Sequence, residues 1–217
     1  MSRRLVRVVT VIAAGLFLLG CAGTPDPRPA PAAVESGVVQ PGWEVTVYYT
    51  AVESFHDGEP IAVTGCPVLD CENGDDPLGR YPRDFVTAVK DEGTGRITSG
   101  EYAGRYLNWS HGVGYWLDTE ARNSYGDALR PYGSAATDAD VLPRGSRVEI
   151  VGCGDAEVTD EVCARLRQPT WIIDDEFTPG LGGAKHLDVY LGEEDRPDFT
   201  ESDLYTTLEN ATLRLPR

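Results

Sequence analysis

The chain has 217 residues, with 19 lysines and arginines against 35 aspartates and glutamates, and its formal net charge at pH 7 is −16. This length is sufficient for one domain with a substantial core. The strong acidity argues against nucleic acid or anionic lipid as a partner, because both repel a negatively charged surface.

The N-terminus has the pattern of an export signal. Three arginines among the first seven residues precede an apolar run over residues 8–19, which is shorter than a membrane-spanning helix requires. Residues 18–21, Leu-Leu-Gly-Cys, resemble the lipobox of bacterial lipoproteins. The resemblance implies that residues 1–20 are a signal peptide and that Cys21 carries the lipid. An incidental cysteine after an ordinary signal peptide is the alternative.

Proline dominates the segment that follows the signal. Residues 21–41 contain five prolines and few large apolar side chains, which predicts an extended, solvated linker behind the lipid anchor. No internal repeat and no second linker divide the rest of the chain. Residues 42–217 are therefore expected to form a single domain.

Four further cysteines predict disulfides, because an exported protein lies in an oxidising compartment. The simplest pairing is Cys66 with Cys71 and Cys153 with Cys163, although three connectivities are possible. Zinc is the alternative, but neither spacing is Cys-x-x-Cys. The acidic residues between 70 and 76 lack the pattern of a calcium loop. No metal and no organic cofactor is expected.

Short apolar runs separated by Gly, Pro and Asp predict a mainly β structure. The clearest helix is predicted over residues 82–90, with a proline near its first turn, and residues 200–204 are expected to open a short second helix. Many short strands with few helices are typical of a small closed barrel. The clearest strands are predicted over residues 45–52, 147–151, 171–173 and 186–191.

Residues 182–192 place one carboxylate in a strand that is otherwise built for burial. Side chains alternate along a strand, so His186, Asp188 and Tyr190 share one face while leucine and valine occupy the other. Aspartate is a poor strand former and is rarely buried without a partner. Asp188 is therefore either a hydrogen-bonding anchor or a functional acid.

Three segments together resemble the 3D (three-aspartate) domain. Residues 134–148 place Asp138 before a hydrophobic-Pro-x-Gly-Ser turn, residues 171–175 resemble the second aspartate strand, and residues 182–192 resemble the third. The resemblance implies a six-stranded double-psi β-barrel with long loop insertions and few short helices. This is the fold of MltA-type lytic transglycosylases of the bacterial cell wall and, more distantly, of expansins and family 45 glycoside hydrolases. The triplet at residues 186–188 is also similar to the His-Phe-Asp triplet of expansins.

The resemblance assigns Asp188 as the general acid that protonates the glycosidic oxygen. Such an acid needs a raised pKa, which an apolar setting together with Asp174 or Asp175 would supply. A lytic transglycosylase requires only this acid, because the C6 hydroxyl of the sugar closes onto the anomeric carbon, whereas a hydrolase needs a second carboxylate. Asp138 is expected to have the structural role of capping its loop.

Several other residues are candidates for binding a glycan. Saccharide sites place flat aromatic faces against sugar rings, so Trp109 and Trp116 are candidate platforms, with packing onto the barrel as the alternative for each. The remaining candidates, on the first strand and around the third aspartate segment, are Tyr48, Thr50, Gly183, Lys185 and His186.

The chain departs from the 3D pattern in two places. Residues 176–181 separate the second aspartate strand from the Gly-Gly-Ala-Lys segment and are expected to change the wall of the cleft. A longer insertion is expected around residues 58–127, for which the family offers no counterpart.

These observations predict a monomeric, exported lipoprotein on the outer face of the cell membrane. Its contact with the membrane is expected through the lipid anchor alone. The predicted activity is cleavage of glycosidic bonds in peptidoglycan or another wall glycan, of the lytic transglycosylase or hydrolase type. The alternatives are a non-catalytic, expansin-like module that binds wall glycan, and a structural secreted lipoprotein.

Overall fold

The computed structural model describes residues 37–155 and 157–217. The signal peptide, Cys21 and most of the linker lie outside these residues. Helix α1 is Arg83–Glu92 and helix α2 is Asp160–Arg167. The strands in chain order are β1 (Val38–Val52), β2 (Pro60–Gly65), β3 (Asp76–Pro82), β4 (Thr94–Arg96), β5 (Tyr106–Ser110), β6 (Gly114–Asp118), β7 (Ser134–Ala136), β8 (Arg147–Gly152), β9 (Trp171–Asp175), β10 (His186–Glu193) and β11 (Leu208–Leu215).

Six strands close into a barrel, in the order β1, β10, β7, β9, β8 and β11, with β11 pairing back onto β1. The pairs β1–β10 and β7–β9 are parallel and the other four are antiparallel. Full closure leaves this barrel without free edges. The prediction of a mainly β protein built on a six-stranded barrel is confirmed. Strand β1 already pairs with β11 at Val38, so residues 38–41, which the sequence suggested as linker, belong to the barrel.

The barrel interior is filled by one face of each strand, as the alternation in the sequence predicts. On β10 the side chains of Leu187, Val189 and Leu191 are buried in the main core. Trp171 on β9 is fully buried beside them, and its indole N–H donates to the Leu166 carbonyl at 3.1 Å. Each such large apolar side chain contributes about 1.5–3 kcal/mol by leaving water. The opposite face of β10, which carries Asp188, is thereby directed out of the barrel.

The chain between β1 and β7 forms an accessory layer beside the barrel. The end of β1 pairs in parallel with β4, and β4, β5 and β6 continue as an antiparallel sheet. Strands β2 and β3 form a separate hairpin. Helix α1 buries Phe85, Val86 and Val89 and ends at Gly93, which adopts the left-handed conformation with φ 88°. This layer occupies most of the insertion expected at residues 58–127 and supplies one wall of the cleft described below.

Both predicted local disulfides are present, Cys66–Cys71 and Cys153–Cys163. The helix predicted over residues 82–90 is confirmed as α1. Helix α2 was not predicted, and its first turn is capped by the Thr159 hydroxyl, which accepts from the Val162 N–H at 3.2 Å. The helix expected at residues 200–204 is instead a single 3-10 turn, Phe199–Glu201. Among the described residues, no helix is both long enough and apolar enough to cross a membrane.

Candidate active site

A cleft of about 460 Å³ lies between the outer face of the barrel and the accessory layer. Its floor is formed by the adjacent strands β1 and β10, which place Thr46 and Asp188 side by side in register. One wall is the C-terminal end of α1 together with the β5–β6 turn, and another is the segment 176–181. The cleft therefore assembles side chains from four separate parts of the chain around Asp188.

Asp188 is half-buried on this floor, and its Oδ1 atom is fully buried without a hydrogen-bond partner. Burial raises the pKa of Asp188 to about 7, with a further upward contribution from the negative charge of Asp175, while the Thr46 hydroxyl and the Val189 N–H favour the ionised form. A carboxyl group with this pKa retains a large protonated fraction at neutral pH. It can therefore donate a proton, which an ordinary surface aspartate cannot do.

Asp175, at the end of β9, lines the same cleft and supplies the neighbouring charge. Its carboxylate accepts from the Tyr48 hydroxyl at 3.2 Å and from the backbone N–H groups of Ser124 and Glu176, both at 2.9 Å. Burial raises the pKa of Asp175, and these donors oppose the rise. All three donors favour the ionised form of Asp175, and the negative charge of that form raises the pKa of Asp188.

Asp174 does not line the cleft. The register between β7 and β9 shifts at this point, so that Ala135 pairs with Ile173 and Ala136 pairs with Asp175. Asp174 is the extra residue of this β-bulge. Its Oδ2 accepts from Arg130 at 2.6 Å and from the Ser134 hydroxyl at 2.9 Å. Burial raises the pKa of Asp174, and these two donors counter it. The two aspartates are adjacent in sequence, but they occupy different environments.

The structure brings three of the other predicted residues to the cleft. Tyr48 is buried on its floor, and burial raises the pKa of its hydroxyl well above the usual value, which keeps it a proton donor to Asp175. The His186 ring hydrogen-bonds the Thr46 hydroxyl through Nε2 at 2.9 Å. Trp109 is half-buried on the wall, with the Lys90 ammonium 5.9 Å from its ring centre.

Two predicted substrate-binding residues are inaccessible. Trp116 is 0% exposed in the accessory layer, so it cannot stack on a sugar ring, and the expectation of a platform there is wrong. Thr50 is also 0% exposed, and its hydroxyl bonds that of Tyr190 at 2.5 Å. Thr50 is therefore covered by Tyr190 and does not line the cleft.

Three more predicted residues lie outside the cleft. The Lys185 ammonium donates to the Pro41 carbonyl at 2.8 Å, on the side of the loop away from Asp188. Gly183 does not line the cleft, and no atom lies close to where a side chain would project from it. Asp138 lies against Gly182, where a Cβ would approach the carboxylate to 2.0 Å. Gly182 is thus required for this close approach.

The inserted segment 176–181 borders the cleft. The Phe177 ring packs on that of His186 with their centres 4.4 Å apart, and the Tyr125 hydroxyl donates to the Glu176 carboxylate. Both contacts anchor the segment to the rest of the domain. The insertion therefore forms part of the lining of the cleft together with Asp188.

Sequence reasoning missed Glu92, the last residue of α1, whose carboxyl group lies on the wall of the cleft. Its Oε2 accepts from the Tyr49 N–H at 3.2 Å and its Oε1 from the Tyr205 hydroxyl at 3.0 Å. Burial raises the pKa of Glu92 to about 8, and the charge of Asp188 adds to this. The available clue was an acidic residue at a helix C-terminus, where the helix dipole disfavours negative charge.

Within residues 37–155 and 157–217, no group of three or more His, Cys, Asp or Glu side chains is arranged to hold a metal ion. All four cysteines of this part of the chain are consumed by the two disulfides. The acidic residues between 70 and 76 include exposed side chains. The side chains that line the cleft supply carboxyl, hydroxyl, imidazole, aromatic, ammonium and guanidinium groups.

The protein is thus a closed six-stranded barrel with a cleft on its outer face, and the cleft contains a half-buried, protonatable aspartate beside a second carboxylate. Lytic transglycosylases of the MltA type have the same fold. MltA from E. coli with bound chitohexaose aligns with a TM-score of 0.51 over 80% of this chain and 72% of its own, at 11% sequence identity. The lytic transglycosylase LtgG of Burkholderia pseudomallei aligns over 79% and 70% of the two chains at 13% identity, with a TM-score of 0.43.

No protein-family model matches the sequence, and no curated protein matches it either. At 11% identity the similarity to MltA is one of fold. A shared fold does not by itself define a shared function, which depends on the side chains of the cleft.

Proposed function

We propose that this protein cleaves glycosidic bonds in the glycan strands of peptidoglycan, with Asp188 as the general acid. The observation that carries the proposal is Asp188 itself, a carboxyl group with a pKa of about 7 on the floor of a cleft and next to a second carboxylate. Burial alone would suit a structural anchor, but Asp188 lines the cleft and its Oδ1 has no hydrogen-bond partner, whereas Asp174, whose Oδ1 is likewise without a partner, lies outside the cleft. The shared fold of MltA, which binds chitohexaose, supports a glycan as the substrate.

In the proposed reaction, Asp188 transfers its proton to the glycosidic oxygen as the bond to the anomeric carbon breaks. The positive charge that develops on the sugar is stabilised by the nearby Asp175 carboxylate. The C6 hydroxyl of the same sugar then closes onto the anomeric carbon and returns its proton to Asp188. The acid is thereby regenerated, no water is consumed, and the product carries a 1,6-anhydro ring.

The export signal, the lipid on Cys21 and the proline-rich linker belong to the same proposal. A lipid anchor on the outer face of the membrane would hold the barrel next to the cell wall, and the linker would give it reach. Because the chain has a net negative charge, an anionic membrane surface would repel it, and the lipid anchor is the expected membrane contact. Such a protein is expected to act as a monomer, because the substrate is a polymer that it meets one strand at a time.

The deciding experiment is incubation of the purified protein with peptidoglycan, followed by mass analysis of the soluble fragments. Anhydro-muropeptides that disappear in the Asp188→Asn variant are the expected result. Fragments with reducing ends would identify a hydrolase instead. If no fragments are released while the protein still sediments with insoluble cell wall, the protein is a binding module and the enzymatic proposal is wrong.

Replacing Trp109 by alanine is expected to weaken glycan binding. Trp109 is the half-buried tryptophan on the wall of the cleft, and an aromatic platform contributes about 0.5–1.5 kcal/mol beyond its buried area, or roughly a twofold to tenfold change in affinity. Titration of the non-cleaving Asp188→Asn protein with chitohexaose, with and without Trp109→Ala, measures the effect. Trp109→Phe retains a flat ring and should bind nearly as well. Equal affinities for all three proteins would remove Trp109 from the binding site.

A further inference from the structure

A second concavity, here called the α1 groove, lies next to the cleft. It has a volume of about 550 Å³ and is bordered by one face of α1 and by the segment that contains Thr200 and Tyr205. Asp91 and Glu92 line both the cleft and the α1 groove. The C-terminal end of α1 is therefore a wall common to the two concavities.

The helical side of the α1 groove is long and regular. It is formed by the residue pairs at 83–84, 87–88 and 91–92, which recur every four positions and so form one stripe along α1. At 1.5 Å per residue, this stripe extends over about 13 Å. A concavity of this length accommodates an extended segment of a polymer.

Tyr205 gives the α1 groove an aromatic surface. Its side chain is 37% exposed, although its hydroxyl donates to Glu92 and its ring packs edge-on against Tyr49 with the centres 5.7 Å apart. Phe199 contacts the same ring from a third direction, at 6.3 Å between centres. These contacts hold the ring in one orientation. The Tyr205 side chain would therefore lose little conformational entropy when a ligand stacks on it.

The polar side chains of the α1 groove suit a ligand rich in hydroxyl groups. The carboxylates of Glu59 and Asp91 can accept hydrogen bonds from hydroxyls, and the Arg83 guanidinium can donate them. The Thr87 hydroxyl already donates to the Arg83 carbonyl at 3.0 Å, and the Asp84 carboxylate accepts from the Gly58 N–H at 2.9 Å. The excess of carboxylates disfavours an anionic ligand. An exposed aromatic ring among such groups is the pattern expected of a saccharide site.

We infer that the α1 groove binds uncharged sugar units of the glycan chain that extends out of the cleft, with Tyr205 as the platform. The inference rests on the proposed function, because it requires a glycan in the cleft. A chain that passes over Asp91 and Glu92 enters the groove and stacks one sugar ring on Tyr205. Long chains then bind more tightly than short ones, because only long chains reach past the end of α1.

The test is the dependence of affinity on chain length, measured by calorimetry on the non-cleaving Asp188→Asn protein with chito-oligosaccharides from chitotriose to chitohexaose. Affinity is expected to rise with length. Tyr205→Ala should lower the affinity for chitohexaose about tenfold while leaving that for chitotriose unchanged. Tyr205→Phe keeps the ring and should behave like the parent protein.

Two further variants keep the test clear of folding defects. Thr87→Arg obstructs the α1 groove from an exposed position on a helix, where arginine is well tolerated, and should also reduce binding of long chains only. Val68→Ala is the control, because Val68, like Tyr205, is an exposed side chain, and it lines neither the α1 groove nor the cleft. It should leave the dependence on chain length unchanged.

The outcomes separate the two proposals. If Tyr205→Ala and Thr87→Arg lower the affinity for short and long chains equally, or change neither affinity, the groove does not bind glycan. The proposed function would still stand. If the parent protein binds no oligosaccharide of any length and releases no fragments from peptidoglycan, the proposed function itself has failed.

Discussion

Replacing Asp188 by asparagine is expected to abolish glycan cleavage and, at the same time, to stabilise the protein above about pH 7. The loss of activity follows from the loss of the transferable proton, and a general acid contributes roughly 10²- to 10⁴-fold to the rate. The gain in stability follows from burial, because an ionised Asp188 is costly in its half-buried position. A residue that served only as an anchor would show the opposite effect on stability.

The pH dependence of this stability gain has a definite sign. An aspartate in an unfolded chain has a pKa of about 3.9, whereas burial raises that of folded Asp188 to about 7. Between these values the folded protein keeps a proton that the unfolded chain has lost, so this contribution to stability is complete below about pH 4 and is lost as the pH rises through about 7. Asparagine does not ionise, so the Asp188→Asn variant does not lose this contribution to stability as the pH rises.

Unfolding by denaturant at several pH values measures the difference. The two proteins are expected to have equal free energies of unfolding near pH 4 and to differ by about 1–3 kcal/mol near pH 8, a range that allows for partial screening of the half-buried group by solvent. Asp140→Asn, at an exposed position outside the cleft, is the control and should change neither activity nor stability. A variant that is less stable than the wild type at both pH values would show that Asp188 is an anchor.

The second expected result is a steep alkaline limit to catalysis. Only protonated Asp188 can donate, so kcat/KM should fall about tenfold per pH unit above about pH 7, or roughly a hundredfold by about pH 9. The limit should move to lower pH in Asp175→Asn, because removing the neighbouring charge lowers the pKa of Asp188. Rates measured on soluble glycan across this range give both curves.

Glu176→Gln is the matched control for the pH profile. It removes a carboxylate one residue further along the chain, from an exposed side chain whose charge does not influence Asp188. Its alkaline limit should coincide with that of the wild type. If Asp175→Asn also leaves the limit in place, Asp175 does not tune the acid and its part in the proposed mechanism is wrong.

The identity of the protonatable residue was accessible from the sequence, whereas its partner was not. Asp188 stands out because a carboxylate interrupts an alternating strand, and alternation is a local property of the chain. Asp174 and Asp175 are equivalent by the same local criterion. What distinguishes them is a β-bulge opposite Ala135 and Ala136, and the position of a bulge depends on the strand that pairs with it. Thr50 was misplaced because Tyr190, which covers its hydroxyl, comes from β10, a strand remote in sequence.

The aromatic residues illustrate the same limit. Trp109 and Trp116 are both placed in a segment rich in Gly, Asn and Ser, and composition cannot distinguish a half-buried ring from a fully buried one. The difference arises from the packing of the accessory layer, which no local pattern encodes. Glu92 is a further case, since Tyr49 and Tyr205 reach it from distant parts of the chain.

The order of residues along the chain was sufficient for the barrel class, the two local disulfides and the outward face of β10 that carries Asp188. Each of these depends on short-range periodicity, on cysteine spacing or on sequence motifs that occur in a recognisable order along the chain. Three-dimensional packing was needed to select Asp175 over Asp174, to bury Thr50 and Trp116, and to bring Glu92 to the cleft. The physical reason is that a pKa and an exposed surface arise from neighbours that are remote in sequence, and these neighbours are chosen by strand register and by the closure of the barrel.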